Sequence, residues 1–410
     1  MSRPGDVGER GGLAVELAIA APSFFQPSET FIRDHARTIA PGATALICAD
    51  DRDADRLGCP VLGGVPSHRQ GRDPLTRAVR RSETLWREHV DAQLRPADRR
   101  RVAAFLTDHK VKVLLAEFVN VGVLFPAACR DAGVRLFVHA HGYDASRLPL
   151  EAGWARRYRS LFGQVAGIIA PSRFLADQLA QLGCPQDLLF VSPYGVDCDR
   201  FRPSVHAPLR VLAVGRLVDK KSPQSTIEAF ASATEAMPGA RLDIVGEGPL
   251  RELCQQTIAR LGACDRVRLL GAQTSETVAD RMSQASLFVQ HSVTAADGDT
   301  EGLPVGILEA MASGVPVVST RHSGIPEMVA EGETGLLVDE HDIGGMAAAI
   351  RVLLADPQRA KAMGAAGRER VQAHYTQQHA AQRLRAILGL DQPAARAAGD
   401  APAALKSAER

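Results

Sequence analysis

The sequence predicts an α/β chain of two doubly wound, Rossmann-like domains, and three observations carry that expectation. Its 410 residues are too many for one ordinary core. Short, β-branched apolar runs alternate with helical stretches from end to end, the pattern of parallel sheets covered on both faces. A join rich in Pro and turn formers, PYGVDCDRFRPSVHAPLR (193–210), divides the runs into two series of six.

In chain order the first series is LAVELAIAA (13–21), TALICA (44–49), VKVLLAEF (111–118), VRLFVHA (134–140), VAGIIA (165–170) and LLFVS (188–192). The second is RVLAVG (210–215), ARLDIVG (240–246), RVRLLG (266–271), SLFVQHS (286–292), VPVVST (315–320) and GLLVDE (335–340). Each run is short enough for a strand and is followed by a longer amphipathic stretch, so each reads as one βα unit. Beyond Pro357 the pattern is helical to about Leu390. Residues 1–12 and the Ala-rich tail 391–410 carry too little apolar bulk to order and are expected to be disordered.

Composition narrows the function classes. Lys+Arg 48 against Asp+Glu 47 leaves a formal charge of +1, which argues against a nucleic-acid partner. No run of eighteen apolar residues suggests a membrane span. The polar opening, MSRPGDVGERGG, lacks the basic-then-apolar order of a signal peptide. Seven scattered cysteines with no C-x-x-C read as reduced core thiols, neither disulfide framework nor zinc site. Together these predict a cytoplasmic protein. Residues 69–101 hold ten Arg against five acids. That excess is either a solvated helix face or a patch for an anionic membrane surface, which would make the protein peripheral at the inner face.

The chemistry concentrates at strand ends. In DGDTEGLPVGILEAMASGVP (297–316), Pro304 suits the first turn of a helix, Leu303, Ile307 and Leu308 form its apolar stripe, and Gly314 ends it. Glu301 then lies in the loop ahead and Glu309 inside, over a turn later. Free N–H groups near 302–305 suit a phosphate, and flanking carboxylates suit sugar hydroxyls. The same spacing also fits a dipole-complementing Glu301 and a surface Glu309. VGRLVDKKSP (214–223) places Arg216 and Lys221 on the loop after the second domain's first strand, where open α/β sheets bind ligands. A guanidinium fork and a point ammonium match a diphosphate, although two solvated cations would look the same.

In the first domain HAHGYD (139–144) follows a strand. His139 and His141 alternate, and Gly142 favours His141 for the cleft. Ser28, Glu29 and Thr30, in SFFQPSETFIRDHA (23–36), either cap a helix or face the cleft. Of the D-x-D pairs only Asp297 and Asp299 lie near the candidate site. No G-x-S-x-G, P-loop or H-E-x-x-H occurs, which removes the usual signatures of serine hydrolases, P-loop nucleotidases and zincins. IVGEGP (244–249) is only part of a dinucleotide fingerprint.

Taken jointly, EGLPVGILEAMASGVPVVSTRHSGIPEMVAEGETGLLV (301–338), GRLVDKK and PYGVDCDRF resemble retaining glycosyltransferases of family 4. SETF, HGYD and SVTAADGDTEGLP are most similar to the colanic acid and amylovoran branch. The resemblance implies the GT-B fold: an acceptor-binding Rossmann-like domain at 13–200 facing, across a cleft, a nucleotide-sugar-binding one at 201–372. A helix at 373–390 would cross back to the first domain. It implies Arg216 and Lys221 on the diphosphate, and Glu301 with the backbone of Gly302, Leu303 and Pro304 on the donor sugar. Glu309 would meet the ribose, Gly246 and Leu270 the nucleoside, and His141 the transferred sugar. Ser28, Glu29, Thr30, Tyr143 and Asp144 would lie on the acceptor side. The implied reaction moves a hexose from a UDP- or GDP-linked donor to a saccharide or lipid-linked acceptor in surface polysaccharide synthesis, with retention, front-face attack, no cofactor and no metal. QPSETF replaces a glycine-rich loop common after the first strand, Ser222 replaces a common Gly, and Tyr194 a common Asn. Rival readings are a GT-B epimerase or phosphorylase, a transferase acting on a small natural product, a non-catalytic binding relative, and a metal-dependent single-domain transferase using Asp297 and Asp299.

Overall fold

The computed structural model describes residues 15–26, 29–66, 93–204 and 207–391. Two parallel sheets are present. The first contains β1 (Leu17–Ala21), β2 (Thr44–Cys48), β3 (Val61–Leu62), β4 (Val113–Glu117), β5 (Arg135–His139), β6 (Gly167–Ala170) and β7 (Leu189–Val191). Its order is β3-β2-β1-β4-β5-β6-β7. The second contains β8 (Arg210–Val214), β9 (Arg241–Val245), β10 (Val267–Gly271), β11 (Leu287–Gln290), β12 (Val317–Thr320) and β13 (Gly335–Val338), in the order β10-β9-β8-β11-β12-β13. Every residue of β1, β2 and β4 is buried, as helices on both faces require.

Strand order reverses between β1 and β4 in one sheet and between β8 and β11 in the other. Loops leaving such neighbours diverge to opposite faces, opening a crevice at the carboxyl edge. All the candidate site segments leave strands at these two edges.

The C-terminal stretch is two helices, Pro357–His374 and Gln377–Leu388. The continuous pattern read from the sequence breaks because Tyr375 and Thr376 are tied to the interdomain link. Val196 N–H donates to Tyr375 O (2.8 Å) and Gln377 N–H to Val196 O (3.1 Å). Thr376 Oγ1 then caps the last helix. A Cβ on Gly195 would stand 2.6 Å from Thr376 O, so only glycine lets the two segments approach this closely. Leu384, Leu388 and Leu390 join the core that holds Ile19, Ile32, Leu46 and Leu115, so the last helix packs on the first domain. Arg385 Nη1 to Ile39 O (2.7 Å) fixes its rotation.

Two other differences from the sequence reading are local. β3 has two residues and no periodicity to reveal it. The helix after Glu301 runs Val305–Ala312, with Pro304 as its N-cap rather than its first turn. Of the Arg-rich stretch, 69–92 lies outside the described residues, while Arg99 pairs with Asp131 and Arg101 with Asp98. Of the segments expected to be disordered, 1–12 and 391–410, all but Asp391 also lies outside, and Asp391 pairs with Arg385 (2.7 Å). No helix among the described residues is long and apolar enough to cross a membrane.

Leu388 is 0% exposed. Leu388→Ala is expected to cost about 2–5 kcal/mol, the transfer term plus the cavity left behind. Denaturant unfolding would show it as a lowered midpoint, and an unchanged midpoint would mean the last helix is not part of the first domain's core.

Candidate functional site

The second domain supplies one wall of the cleft. β8 leads into Gly215 and Arg216 and then a tight turn, Asp219–Lys221, while β11 leads into His291–Thr300 and Glu301. A shallow, open pocket lies here, lined by Gly215, Arg216, Leu217, Lys221, Thr226 and Gln290. Arg216 is exposed on its rim. The N-terminal turn of Val305–Ala312 packs onto the end of β8, where a Cβ on Gly306 would lie 3.3 Å from Val214 O. Its positive end therefore adds to the two cations. Gly246 follows β9 and lies against Gly215, and Leu270 lies near the end of β10.

Lys221 Nζ sits 2.9 Å from Glu301 Oε1 and 3.3 Å from Gln290 Oε1. The residues read as a diphosphate contact and a sugar contact thus hold one another. Glu301 is 6% exposed. Burial by itself would push its pKa up, but Lys221 and Lys220 outweigh it and hold the carboxyl below its ordinary value. Its backbone is equally constrained. Glu301 N–H donates to His322 Nε2 (3.1 Å), and Ser323 Oγ donates to Glu301 O. His322 Nδ1 in turn meets Glu340 Oε1 at 2.6 Å, which assigns the proton to Nδ1 and the lone pair to Nε2.

The sequence reading missed Lys220, His322, Ser323 and Glu340. Lys220 is 6% exposed and binds Asp299 Oδ1 (2.8 Å) and Thr300 O (2.9 Å). Asp297 pairs instead with Arg147 of the first domain, Nε to Oδ2 2.7 Å. The two carboxylates of the D-x-D pair are therefore held by separate cations.

The first domain closes on this wall. Thr300 N–H donates to Ser146 Oγ (3.0 Å), and Ser172 Oγ donates to Gly302 O (3.1 Å). Arg173 and Phe174 N–H donate to Glu327 (2.9 and 3.1 Å). His141 stands at the seam but turns inward, with Nε2 3.0 Å from Glu117 Oε2 and Nδ1 against the Tyr194 hydroxyl. Of the acceptor-side residues, Tyr143 is exposed at the rim and Glu29 and Thr30 open the helix Thr30–Thr38. Ser28 lies outside the described residues. Asp144 is a correction: it is 0% exposed, and its two carboxylate oxygens accept from Val119 N–H (2.7 Å) and His141 N–H (2.8 Å). It shapes the turn and does not reach the cleft.

Leu303 and Pro304 are buried beneath the loop. Half-buried Glu309 projects from the helix, and burial, then nearby Asp34, pushes its pKa up to about 7.

Known proteins bear on this arrangement. The glycosyl transferases group 1 family matches residues 199–370, and Glycosyltransferase Family 4 matches 43–200. The amylovoran biosynthesis glycosyltransferase AmsK of Erwinia amylovora is 34% identical over 60% of this chain, and the match spans 62% of AmsK. The GDP-mannose-dependent α-(1-6)-phosphatidylinositol monomannoside mannosyltransferase of Mycolicibacterium smegmatis is 33% identical over 65% of this chain and 74% of its own. Anabaena HepE, solved in complex with UDP and glucose, superposes with a TM-score of 0.72 over 92% of this chain and 99% of its own, at 19% identity.

Two expectations follow from the geometry. A Cβ on Gly142 would stand 2.4 Å from Thr300 O. Gly142→Ala should therefore leave each domain folded, with melting little changed, while shifting small-angle scattering toward an open form. An unaltered scattering profile would contradict the contact. For Glu309, the folded state holds its proton more tightly than the unfolded chain. It thus contributes stability that is fully present below pH 4.5 and lost as pH rises to about 7. Glu309→Gln should flatten that part of the unfolding midpoint's pH profile, and an unchanged slope would refute the shift.

Proposed function

Because the chain belongs to the group 1 and family 4 glycosyltransferases and has the GT-B fold, we propose that it moves a hexose from a nucleotide-sugar donor to an acceptor hydroxyl, with retention and without a metal. The observation that carries this reading is the Lys221–Glu301 pair beside Arg216 at a helix N-terminus. Such a site offers a diphosphate two cations and a dipole, and offers a sugar an ionised carboxylate within reach.

In this reading the diphosphate draws Lys221 from Glu301, and the freed carboxylate accepts from hydroxyls of the donor sugar. Gly302, Leu303 and Pro304 shape the same end of the site. Glu309 accepts from the ribose, while Gly246 and Leu270 border the base. As transfer proceeds, the bond from the anomeric carbon to the β-phosphate oxygen breaks. The acceptor oxygen attacks from the same face, and its proton passes to the departing diphosphate. No side chain forms a covalent bond. The protein's contribution is to align the two substrates and to neutralise charge growing on the β-phosphate, for which Arg216, Lys221 and the helix end are suited.

The donor is a UDP- or GDP-sugar. HepE was solved with UDP, and the mycobacterial relative is named for GDP-mannose. The acceptor is a saccharide or a lipid-linked saccharide of a surface polysaccharide, the process for which AmsK is named. The first domain's rim, with Glu29, Thr30 and Tyr143, is where it would enter.

Purified protein incubated with UDP-, GDP- and ADP-sugars in chelator should release nucleotide from one donor. Lys221→Ala should slow turnover by about 10²-fold, since it removes a contact to the charge that develops. A folded variant at the wild-type rate would overturn the assignment. Conversion of the sugar with nucleotide still attached would make the protein an epimerase.

A further inference from the structure

A chain of buried side chains runs along the carboxyl edge of the first sheet, and the transfer step as proposed makes no use of it. Glu117 ends β4 and is 0% exposed. Its Oε1 lies 2.7 Å from His35 Nδ1 and its Oε2 3.0 Å from His141 Nε2. The far nitrogen of His141 meets the Tyr194 hydroxyl. Four separate pieces of the fold therefore meet in one network: the helix Thr30–Thr38, β4, the loop after β5 and the interdomain link.

The proton positions follow from chemistry. Burial alone would raise Glu117's pKa, but His35 and His141 reverse that and hold it well below the carboxylate range. An ionised carboxylate only accepts, so both imidazole nitrogens facing it carry protons. His141 is thereby the Nε2–H tautomer, and its Nδ1 lone pair accepts from Tyr194 O–H. Phe31 and Phe118 pack against the His141 ring with centroids 4.5 and 4.4 Å away, and Tyr194 stacks on Phe31 at 4.9 Å. The ring has one tautomer and one orientation, and each nitrogen is already engaged.

What His141 presents to the cleft is consequently its backbone. The next residue, Gly142, closes on the second domain, where a Cβ on Gly302 would stand 3.1 Å from Gly142 N. We infer that Glu117, Tyr194 and His35 are positioning residues that lock His141 and so set the turn at 141–144 against the Glu301–Gly302 loop. The inference rests on the transferase reading only in its kinetic consequence.

The cluster also has the composition of a zinc site, since ligand atoms of Glu117, His139 and His141 all lie within 4.8 Å of one another. His139 Nε2 is buried without a hydrogen-bond partner among the described residues. Geometry favours the hydrogen-bonded network instead. The His139 and His141 rings stack 20° from parallel with centroids 4.9 Å apart, so their in-plane lone pairs do not converge on one point. Both carboxylate oxygens are already taken by imidazole N–H groups.

The test uses the full chain labelled with ¹⁵N-histidine. Long-range ring correlations should show His141 as Nε2–H in the wild type and in Tyr194→Phe, and as mixed tautomers in Glu117→Gln. With the donor found by nucleotide release, both variants should lose turnover by about 10- to 100-fold, the scale of a misplaced reacting geometry. Affinity for the free nucleoside diphosphate should not move, because Arg216 and Lys221 are untouched. Wild-type turnover in folded variants, an Nδ1–H His141, or one equivalent of zinc in the purified protein would each overturn the inference. If the wild type turned over no donor, the proposed function would fail while the tautomer spectrum still judged the network.

Discussion

The buried contact between Lys221 and Glu301 governs how the second domain is built around it. Taking two opposite charges out of water is costly, and the loss is recovered only when the remaining polar atoms of both groups are satisfied. Gln290 serves Lys221, while His322 and Ser323 hold the Glu301 backbone. Lys220 lies one residue from Lys221 and is fastened to Asp299 and Thr300. The loops after β8 and β11 are therefore one electrostatic unit. Glu340 extends it by gripping both His322 and Thr294 N–H (2.7 Å).

The first domain solves a similar problem with opposite parts. There a carboxylate, Glu117, is buried among imidazoles and a phenol rather than against a lysine. Both arrangements sit at the carboxyl edge of a parallel sheet, next to a reversal of strand order. They meet where Gly142 and Gly302 leave no space for side chains. A cleft assembled this way has rigid walls, and its shape depends on how the two walls are brought together.

Much of this was legible in the sequence. Continuous β-branched runs placed twelve of the strands, because a strand buried on both faces leaves a local compositional trace. Arg216, Lys221 and Glu301, which the structure brings together, were singled out by short local motifs and the family resemblance, while spacing alone left the roles of Glu301 and Glu309 open. Residues whose role comes from distant partners were not. His35 and Glu117 are 82 positions apart, and His141 and Tyr194 are 53 apart. His322 looked like any polar residue after a strand until Glu301 was seen to donate to it. Asp144 illustrates the converse: its motif suggested exposure, whereas two backbone N–H groups had claimed it. The break at Tyr375 was invisible because it is imposed by Val196, not by any local helix breaker.

That break has a mechanical consequence. The chain passes from the first domain to the second along the 193–209 link and returns through Tyr375 and Thr376, and backbone hydrogen bonds fasten the outward and return paths together. Two strands of chain joined at one spot behave as a single axle. Any turning of one domain against the other would pivot there, and it would have to part the Arg147–Asp297 pair, which lies outside the axle.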